Sequence, residues 1–301
     1  MVRKIQAEEL IACGKKVKKD NEFKKMVASK WHTLKTTEKA KFFVASPEAS
    51  NGNTKQRGNR NQSPTIYTRC SPHRFQQVVS QFSEEQIAAI NDMGFGTLIQ
   101  LSCTRIRHDL CRFLIDSFDT DSSSIELHGK TMEVCYSDFK QIMSVPEGGS
   151  TVDLRGSIDE PDMKPLLDIY IGKSGNITIP SLIDKLEGAN AADHNFKVSF
   201  ILLALGTLLC PNTSTNIHLK YLLALRNPEN IRHLNWATFS FEFLLDGVQL
   251  FKQSNSKYVS GCVLFLQLYY YNVIGYGRTL VDCSKPIIAA WGEVESGKLI
   301  K

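Results

Sequence analysis

The sequence predicts a mainly α-helical, multi-helix globular domain with a small β-hairpin, and we expect a winged-helix-like element over residues 98–145. Three observations lead to this fold class. Apolar residues recur at helical spacing in several segments between residues 72 and 272. A single stretch alternates apolar and polar residues around a His-Gly pair. The chain has 301 residues, 42% of them hydrophobic, which is enough to bury a sizeable core.

The predicted hairpin turns at His128 and Gly129. Glycine at the second position of a two-residue turn supplies the positive φ that such a turn requires. This turn pairs Ile125 with Met132, which gives the hairpin one apolar and one polar face. The apolar face carries Ile125, Leu127, Met132 and Val134, and the polar face carries Glu126, Thr131 and Glu133.

A short helix is expected directly after the hairpin. Ser137 is the predicted N-cap, Asp138 follows it, and an apolar stripe begins at Phe139. Pro146 and Gly148 end the helix, because proline cannot continue it and glycine accepts left-handed backbone. We therefore interpret residues 125–149 as a structural module.

In chain order, the remaining helices are expected at residues 72–79, 87–93, 97–118, 181–186, 196–209, 219–225, 231–251 and 261–272. Ser83 and Gln86 form a predicted capping box before the second of these. Trp236 lies in the helix over residues 231–251. The last helix begins at Gly261 and is apolar nearly all round, which is typical of a central, buried helix.

Composition and periodicity divide the chain into six predicted segments. They are a basic helical segment at 1–45, a disordered linker at 46–68, a helix–hairpin–helix subdomain at 69–150, an irregular connection at 151–195, a helical subdomain at 196–280 and a loose tail at 281–301.

The net charge of +5 is concentrated at the N-terminus, where residues 1–60 contain 15 Lys and Arg against 6 Asp and Glu. Lys15, Lys16, Lys18 and Lys19 form a compact cluster within it. Two interpretations of the cluster stay open: a nuclear-import signal or phosphate-contacting patch, and a solvated helix face. Lys220, Arg226 and Arg232 lie near Trp236 in the sequence, and for them a nucleic-acid contact and a solvated surface both stay open.

No membrane partner is expected. The longest apolar runs, residues 198–210 and 262–274, have about 13 residues each, and a bilayer-spanning helix needs about 20. The N-terminus has no apolar signal segment, and the eight cysteines follow no regular spacing. We therefore expect a protein that is not secreted and that resides in the nucleus or otherwise the cytoplasm.

No catalytic constellation emerges from the sequence, and no cofactor or bound metal is expected. Residues 292–298 match the spacing of a phosphate-binding loop, but Leu299 stands where a magnesium-binding hydroxyl is needed. His108 and Cys111 have the spacing of half a metal site. A nucleophilic role for Cys111 or Cys210 stays open, although apolar surroundings favour an inert thiol.

Two stretches together resemble a known family. Residues 93–149 contain MGFGTLIQL, CRFLIDSFD and SDFKQIMSVPEGG, and residues 196–276 contain IRHLNWATFSFEFLLDGV and GCVLFLQLYYYNVIGYGR. They resemble the plant mobile domain, also labelled aminotransferase-like, a plant family related to transposable elements. The likeness covers roughly residues 70–280. Asp138-Phe139 replaces the family's usual Asp-Val, and MSVP at residues 143–146 replaces its Leu-Gly-Leu-Pro.

The resemblance implies a non-enzymatic, transposon-derived nuclear protein that acts through protein or nucleic-acid contacts, in silencing or genome maintenance. The basic N-terminal segment is the expected nucleic-acid contact, and nuclear proteins are the other expected partners. The closest variant is similar to the N-terminal region of plant SUMO cysteine proteases, so the alternative is the non-catalytic region of such a protease. The lysine, aspartate and phosphate cup of a pyridoxal enzyme cannot be assigned.

Overall fold

The computed structural model describes residues 65–172, 175–254, 256–275 and 280–300. The predicted basic segment and nearly all of the predicted linker lie outside these residues. Within them the fold is mainly α-helical with three small sheets, which confirms the predicted fold class.

The helices are α1 (Pro72–Val79), α2 (Glu84–Asp92), α3 (His108–Asp116), α4 (Tyr136–Met143), α5 (Lys164–Tyr170), α6 (Ile179–Glu187), α7 (His194–Ala204), α8 (Tyr221–Ala224), α9 (Trp236–Gln253), α10 (Val263–Gly275), α11 (Ile287–Ala290) and α12 (Glu293–Ile300). A π-helical turn at Leu205–Leu209 continues α7, and 3-10 turns occur at Leu98–Gln100, Pro161–Met163 and Pro228–His233. The strands are β1 (Tyr67–Thr68), β2 (Phe118–Asp119), β3 (Ser124–Leu127), β4 (Lys130–Glu133), β5 (Ile177–Thr178), β6 (Asn216–Ile217) and β7 (Tyr258–Val259).

Helix α10 lies at the centre of the fold, as predicted. All of its residues except Asn272 are buried, because an apolar surface on every side of a helix requires cover on every side. Helices α3, α4, α11 and α12 pack against it. The ring centroid of Phe265 lies 4.9 Å from that of Phe139 on α4 and 6.0 Å from that of Phe241 on α9.

A single hydrophobic cluster contains residues from both predicted subdomains, 69–150 and 196–280. Phe95, which follows α2, connects them. Its ring centroid lies 6.1 Å from that of Phe200 on α7 and 6.2 Å from that of Trp236 on α9, both edge-on.

The predicted hairpin is confirmed. Strands β3 and β4 pair antiparallel with Ile125 opposite Met132, and β2 pairs with the other edge of β3. His128 (φ 54°) and Gly129 (φ 72°) are both left-handed, as in a type I′ turn. The predicted apolar face is buried and the predicted polar face is exposed.

The predicted N-cap of α4 is wrong. Helix α4 begins after Cys135, and Ser137 is already inside the helix. Asp138 occupies the third helical position, where its carboxylate accepts a hydrogen bond from the backbone N–H of Cys135 at 2.9 Å. The acidic side chain at N3 therefore stabilises the helix start that the serine was expected to cap.

The predicted stop after α4 docks onto the start of α9. The carbonyl of Pro146 accepts a hydrogen bond from the N–H of Ala237 at 3.0 Å. Gly148 and Gly149 have positive φ, and a Cβ at Gly149 would collide with the carbonyl oxygen of His233. Trp236 is fully buried beside this contact.

The predicted helix over residues 97–118 is wrong. Within it only His108–Asp116 is α-helical, Leu98–Gln100 forms a 3-10 turn, and residues 101–107 are not helical, so Arg105 and Arg112 do not share a helix face. The buried amide of Gln267 on α10 accepts a hydrogen bond from the N–H of Arg107 at 2.8 Å and donates one to the carbonyl of Arg105 at 2.9 Å. These bonds satisfy the backbone that an α-helix would otherwise have paired internally.

The predicted irregular connection at residues 151–195 contains helices α5 and α6 and a 3-10 turn. Pro161, Pro165 and Pro180 lie in the first turn of these three elements. Proline is favoured there, because the first N–H groups of a helix have no internal partner. The prolines therefore begin helices in this segment instead of breaking them.

The predicted loose tail at residues 281–301 is also wrong. Helices α11 and α12 form there, and Trp291 between them is buried. Its indole occupies the space that a Cβ at Gly275 would fill, and its ring centroid lies 5.7 Å from that of Tyr271. The N–H of Ser102 also donates a hydrogen bond to the carbonyl of Ile288 at 3.1 Å. The segment therefore covers the end of α10.

Gly261 should be essential for the packing of α10 against α9. Its φ is +90°, and an added Cβ would lie 2.7 Å from the Cα of Leu244. Gly261→Ala should lower the free energy of unfolding by about 2–4 kcal/mol, measured by urea denaturation. Gly297→Ala is the matched control, because its Cβ would meet nothing and alanine favours the helix, so its stability should equal or exceed that of wild type. A Gly261→Ala protein as stable as wild type would contradict this account.

His128 should make the fold sensitive to acid. Burial lowers the pKa of His128 below its ordinary value of 6.5. Below about pH 6.5 the unfolded chain therefore binds a proton that the folded chain resists, and stability falls with pH until the folded pKa is passed. His128→Asn keeps a residue that tolerates the left-handed turn and removes this titration. The melting temperature of wild type should fall more than that of the variant between pH 7 and pH 5, and parallel curves would argue against it.

Candidate nucleic-acid interface

A two-stranded ribbon displays a pair of aromatic rings in solvent. Strands β1 and β7 pair in parallel with Tyr67 opposite Tyr258. Side chains alternate along each strand, so Ile66 and Val259 point into the core while the tyrosines are 46% and 38% exposed. The two tyrosine ring centroids lie 5.4 Å apart at an interplanar angle of 33°.

Arg69 extends this aromatic surface with a positive charge. Its guanidinium carbon lies 5.3 Å from the ring centroid of Tyr258, which is a cation–π contact. We call Tyr67, Arg69 and Tyr258 the aromatic platform. Exposed aromatic rings beside arginine are the side chains on which proteins stack the bases of single strands.

The π-helical turn at Leu205–Leu209 fixes the segment that follows the platform. The carbonyl of Thr207 accepts a hydrogen bond from the N–H of Ser71 at 2.7 Å, and the carbonyl of Leu208 faces the thiol of Cys70 at 3.7 Å. A π-turn changes the register of helix hydrogen bonds, and such turns are frequent at functional sites. The junction between β1 and α1 is thereby attached to the buried end of α7.

A cavity of about 300 Å³ opens beside this junction. Gly206 of the π-turn permits the approach of the ribbon formed by β5 and β6, because a Cβ there would lie 2.7 Å from Ile217 and 3.0 Å from Ile179. Arg69 and Arg74 both line the cavity and are both exposed. We call it the arginine cavity.

The two arginines of this cavity have no acidic partner among the described residues. No described carboxylate lies within 4.0 Å of either guanidinium. Arg226 differs, because it forms ion pairs with Glu160 at 2.9 Å and Asp162 at 3.2 Å. Arg69 and Arg74 therefore keep their charge available to a ligand, whereas Arg226 uses its charge within the fold.

Among the described residues, the other predicted contacts and structural residues lie outside the platform and the arginine cavity. The cluster of Lys15, Lys16, Lys18 and Lys19 lies outside the described residues. Trp236 is fully buried and donates its indole N–H to the carbonyl of Ile231 at 2.8 Å, so it cannot stack on a base. The predicted structural residues His128, Gly129, Asp138, Pro146, Gly148 and Gly261 lie in turns, caps and helix contacts of the core.

The candidate catalytic cysteines are buried. Burial raises the pKa of Cys210 to about 12, and it also raises the pKa of Cys111. The thiol of Cys210 contacts the hydroxyl of Ser240 at 3.5 Å. His108, which has the spacing of half a metal site with Cys111, has its Nδ1 3.1 Å from the carbonyl oxygen of Ile66. In the part of the chain that the structure describes, no group of three or more His, Cys, Asp and Glu side chains is arranged to hold a metal ion.

Residues 292–298, which match the spacing of a phosphate loop, fold almost entirely as helix α12. A phosphate loop instead wraps its backbone around the ligand before the helix begins. No helix among the described residues is both long enough and apolar enough to cross a bilayer.

Sequence reasoning missed the aromatic platform. Tyr67 fell within the predicted linker, and Tyr258 fell between two predicted helices. A signal was present in both places: IYTR at residues 66–69 and KYV at residues 257–259 each contain a tyrosine next to an apolar residue, with a cation one or two positions away. Two-residue strands are too short for periodicity to detect.

Comparison with known proteins places the chain in a family. The model of a domain of unknown function, DUF8566, matches residues 68–267, about two-thirds of the chain. The chain belongs to the DUF8566 family. The matched region of DUF8566 contains Arg69, Arg74, Tyr258 and the π-turn, and it begins one residue after Tyr67. No curated protein and no solved structure matches the chain.

The buried thiols of this DUF8566 protein should resist alkylation. A pKa near 12 leaves Cys210 about a thousandfold less thiolate than a thiol whose pKa is 9, and the thiolate is the reactive form. With iodoacetamide at pH 8, Cys111 and Cys210 should react at least about a hundredfold more slowly than the exposed Cys283. Peptide mass spectrometry measures the rates, and denaturant should abolish the difference. Rapid labelling of either buried thiol in the native protein would favour a nucleophilic role instead.

Proposed function

We propose that this DUF8566 protein is a non-enzymatic, transposon-derived nuclear protein that binds single-stranded nucleic acid through the aromatic platform. The basic N-terminal segment supplies a second, less specific contact with the phosphate backbone. The observation that carries the proposal is the exposed pair Tyr67 and Tyr258 with Arg69 beside it.

The platform has the geometry that base stacking requires. Tyrosine rings in a core are covered by other side chains, whereas these two project from a ribbon whose opposite face is buried. Every base has a flat face, so stacking on tyrosine is largely independent of sequence and contributes about 1–3 kcal/mol per base. The short ribbon is fixed to the core through Ile66 and Val259, so the rings are held in place before a ligand arrives.

Charge supports the same assignment. The chain outside residues 1–60 is mildly acidic, with 21 Lys and Arg against 25 Asp and Glu. A general electrostatic attraction for phosphates therefore comes from the N-terminal segment, and the folded part contributes local contacts. The nuclear and transposon-derived parts of the proposal rest on the resemblance to the plant mobile domain. The same resemblance supports a role in silencing or genome maintenance.

Removing both rings of the platform should weaken binding to a short single-stranded DNA. Tyr67→Ala combined with Tyr258→Ala should raise the dissociation constant about tenfold or more, because two stacking contacts are lost. Fluorescence anisotropy at fixed salt measures the effect. Tyr136→Ala is the matched control, because this tyrosine is 47% exposed but belongs to α4 and is not part of the platform.

The salt dependence of binding distinguishes the contribution of the N-terminal segment from that of the platform. In the full chain, replacement of Lys15, Lys16, Lys18 and Lys19 by glutamine should flatten the slope of log K against log salt by up to about three, since each phosphate contact on a single strand contributes about 0.7. The tyrosine variants should leave this slope nearly unchanged. If the full-length protein binds no single-stranded DNA or RNA, the proposal fails, and a protein partner becomes the better explanation of the exposed rings.

A further inference from the structure

The arginine cavity differs in its charge from two other grooves among the described residues. Its charged lining consists of Arg69 and Arg74, and it contains no carboxylate. A groove between α2 and α4 is lined by Asp92 and Glu147 as well as by cations. A third groove, beside β2, is lined by four carboxylates: Asp116, Asp119, Asp121 and Glu126. Compared with these two grooves, the arginine cavity has positive charge without a carboxylate to compensate it.

The cavity also has a closed floor. Thr207, Cys210, Ile217 and Tyr221 line it and are each at most 5% exposed. Their own polar atoms are already used, since the hydroxyl of Thr207 donates to a carbonyl of α7 and that of Tyr221 donates to the carbonyl of Cys210. A ligand consequently meets an apolar, satisfied base, and the charges lie on the exposed arginines.

We propose that the arginine cavity binds the terminal phosphate monoester of a nucleic-acid strand whose adjoining bases stack on the aromatic platform. This inference rests on the proposed function and names the part of the strand that the protein recognises. Arg69 connects the two sites, because the same side chain lines the cavity and contacts the ring of Tyr258.

The charge of the ligand follows from the two arginines. A phosphate monoester carries nearly two negative charges above its second pKa of about 6, whereas an internal diester carries one. Two guanidinium groups can match the monoester, and the planar arginine fork makes paired hydrogen bonds with phosphate oxygens. A volume of about 300 Å³ is at the lower end of small-ligand pockets, which suits one terminal nucleotide.

The closed floor explains why an end of the strand is bound. An internal phosphate has chain on both sides, and both must leave the cavity through its exposed side. A terminal phosphate has chain on one side only, so the strand can enter the cavity and continue outward over the platform. The apolar side chains Ile179, Pro180 and Ile217 then face the terminal sugar.

Arg74 provides a clean test of the cavity. It lies on α1, outside the aromatic platform, and it has no ion pair with any described carboxylate. Arg74→Gln removes one charge and should leave folding intact, which a melting curve checks. Arg74→Lys keeps the charge and loses the fork. Arg232→Gln is the matched control, an exposed arginine that lines the groove between α2 and α4.

The experiment compares short oligothymidines that carry a 5′-phosphate or a 3′-phosphate, each labelled at the other end, with strands of the same label position whose free end is a hydroxyl. Wild type and the Arg232→Gln control should bind one phosphorylated strand about tenfold more tightly than the hydroxyl strand. Arg74→Gln should lose this preference while it still binds the hydroxyl strand, and Arg74→Lys should keep part of the preference.

Each other result is decisive as well. Equal binding of phosphorylated and hydroxyl strands by wild type overturns the inference and leaves the proposed function standing. A phosphate preference that survives in Arg74→Gln overturns the assignment to this cavity. If no strand binds, the proposed function fails, and thermal shift with a free nucleoside monophosphate decides the cavity. If the nucleotide raises the melting temperature of wild type and Arg74→Gln abolishes this rise, the cavity is a monoester site that takes free nucleotides. If the melting temperature of wild type does not rise, the assignment of a phosphate site to this cavity is overturned.

Discussion

The requirement to cover helix α10 on every side determines the arrangement of the rest of the chain. A helix with apolar residues all round has no surface that water can face at low cost, so neighbouring elements must surround it. Helices α3 and α4 do so from the N-terminal half, and α11 and α12 do so from the end of the chain. This constraint explains why short helices far apart in sequence share one hydrophobic cluster.

The candidate interface also depends on a buried helix, because the segment that carries it is attached to α7. Helix α7 is buried along nearly its whole length, and its π-turn offers carbonyl groups to the segment between β1 and α1. The platform and the arginine cavity are therefore displayed by short elements that have little stability alone. Rigidity at this surface comes from the core beneath it, which is the usual relation between a binding surface and its scaffold.

Local features of the fold could be predicted from sequence, and features made by distant residues could not. The turn at His128 and Gly129 and the all-round burial of α10 depend on neighbouring residues, and both predictions were confirmed. The helix predicted over residues 97–118 was wrong because Gln267, which is remote in sequence, satisfies backbone groups there. Tyr67 and Tyr258 form a platform only because β1 and β7 pair across most of the chain. The lysine cluster stays a prediction.

The position of Trp291 shows that the fold extends beyond the region matched by the family model. The DUF8566 match ends at residue 267, inside α10, whereas Trp291 lies against Gly275 at the other end of that helix. A recombinant fragment trimmed to the matched region would divide the central helix and discard the indole that shields its last turn. The family match thus ends before the packing around α10 is complete, and a fragment intended for solution work needs the additional C-terminal residues to keep the end of this helix covered.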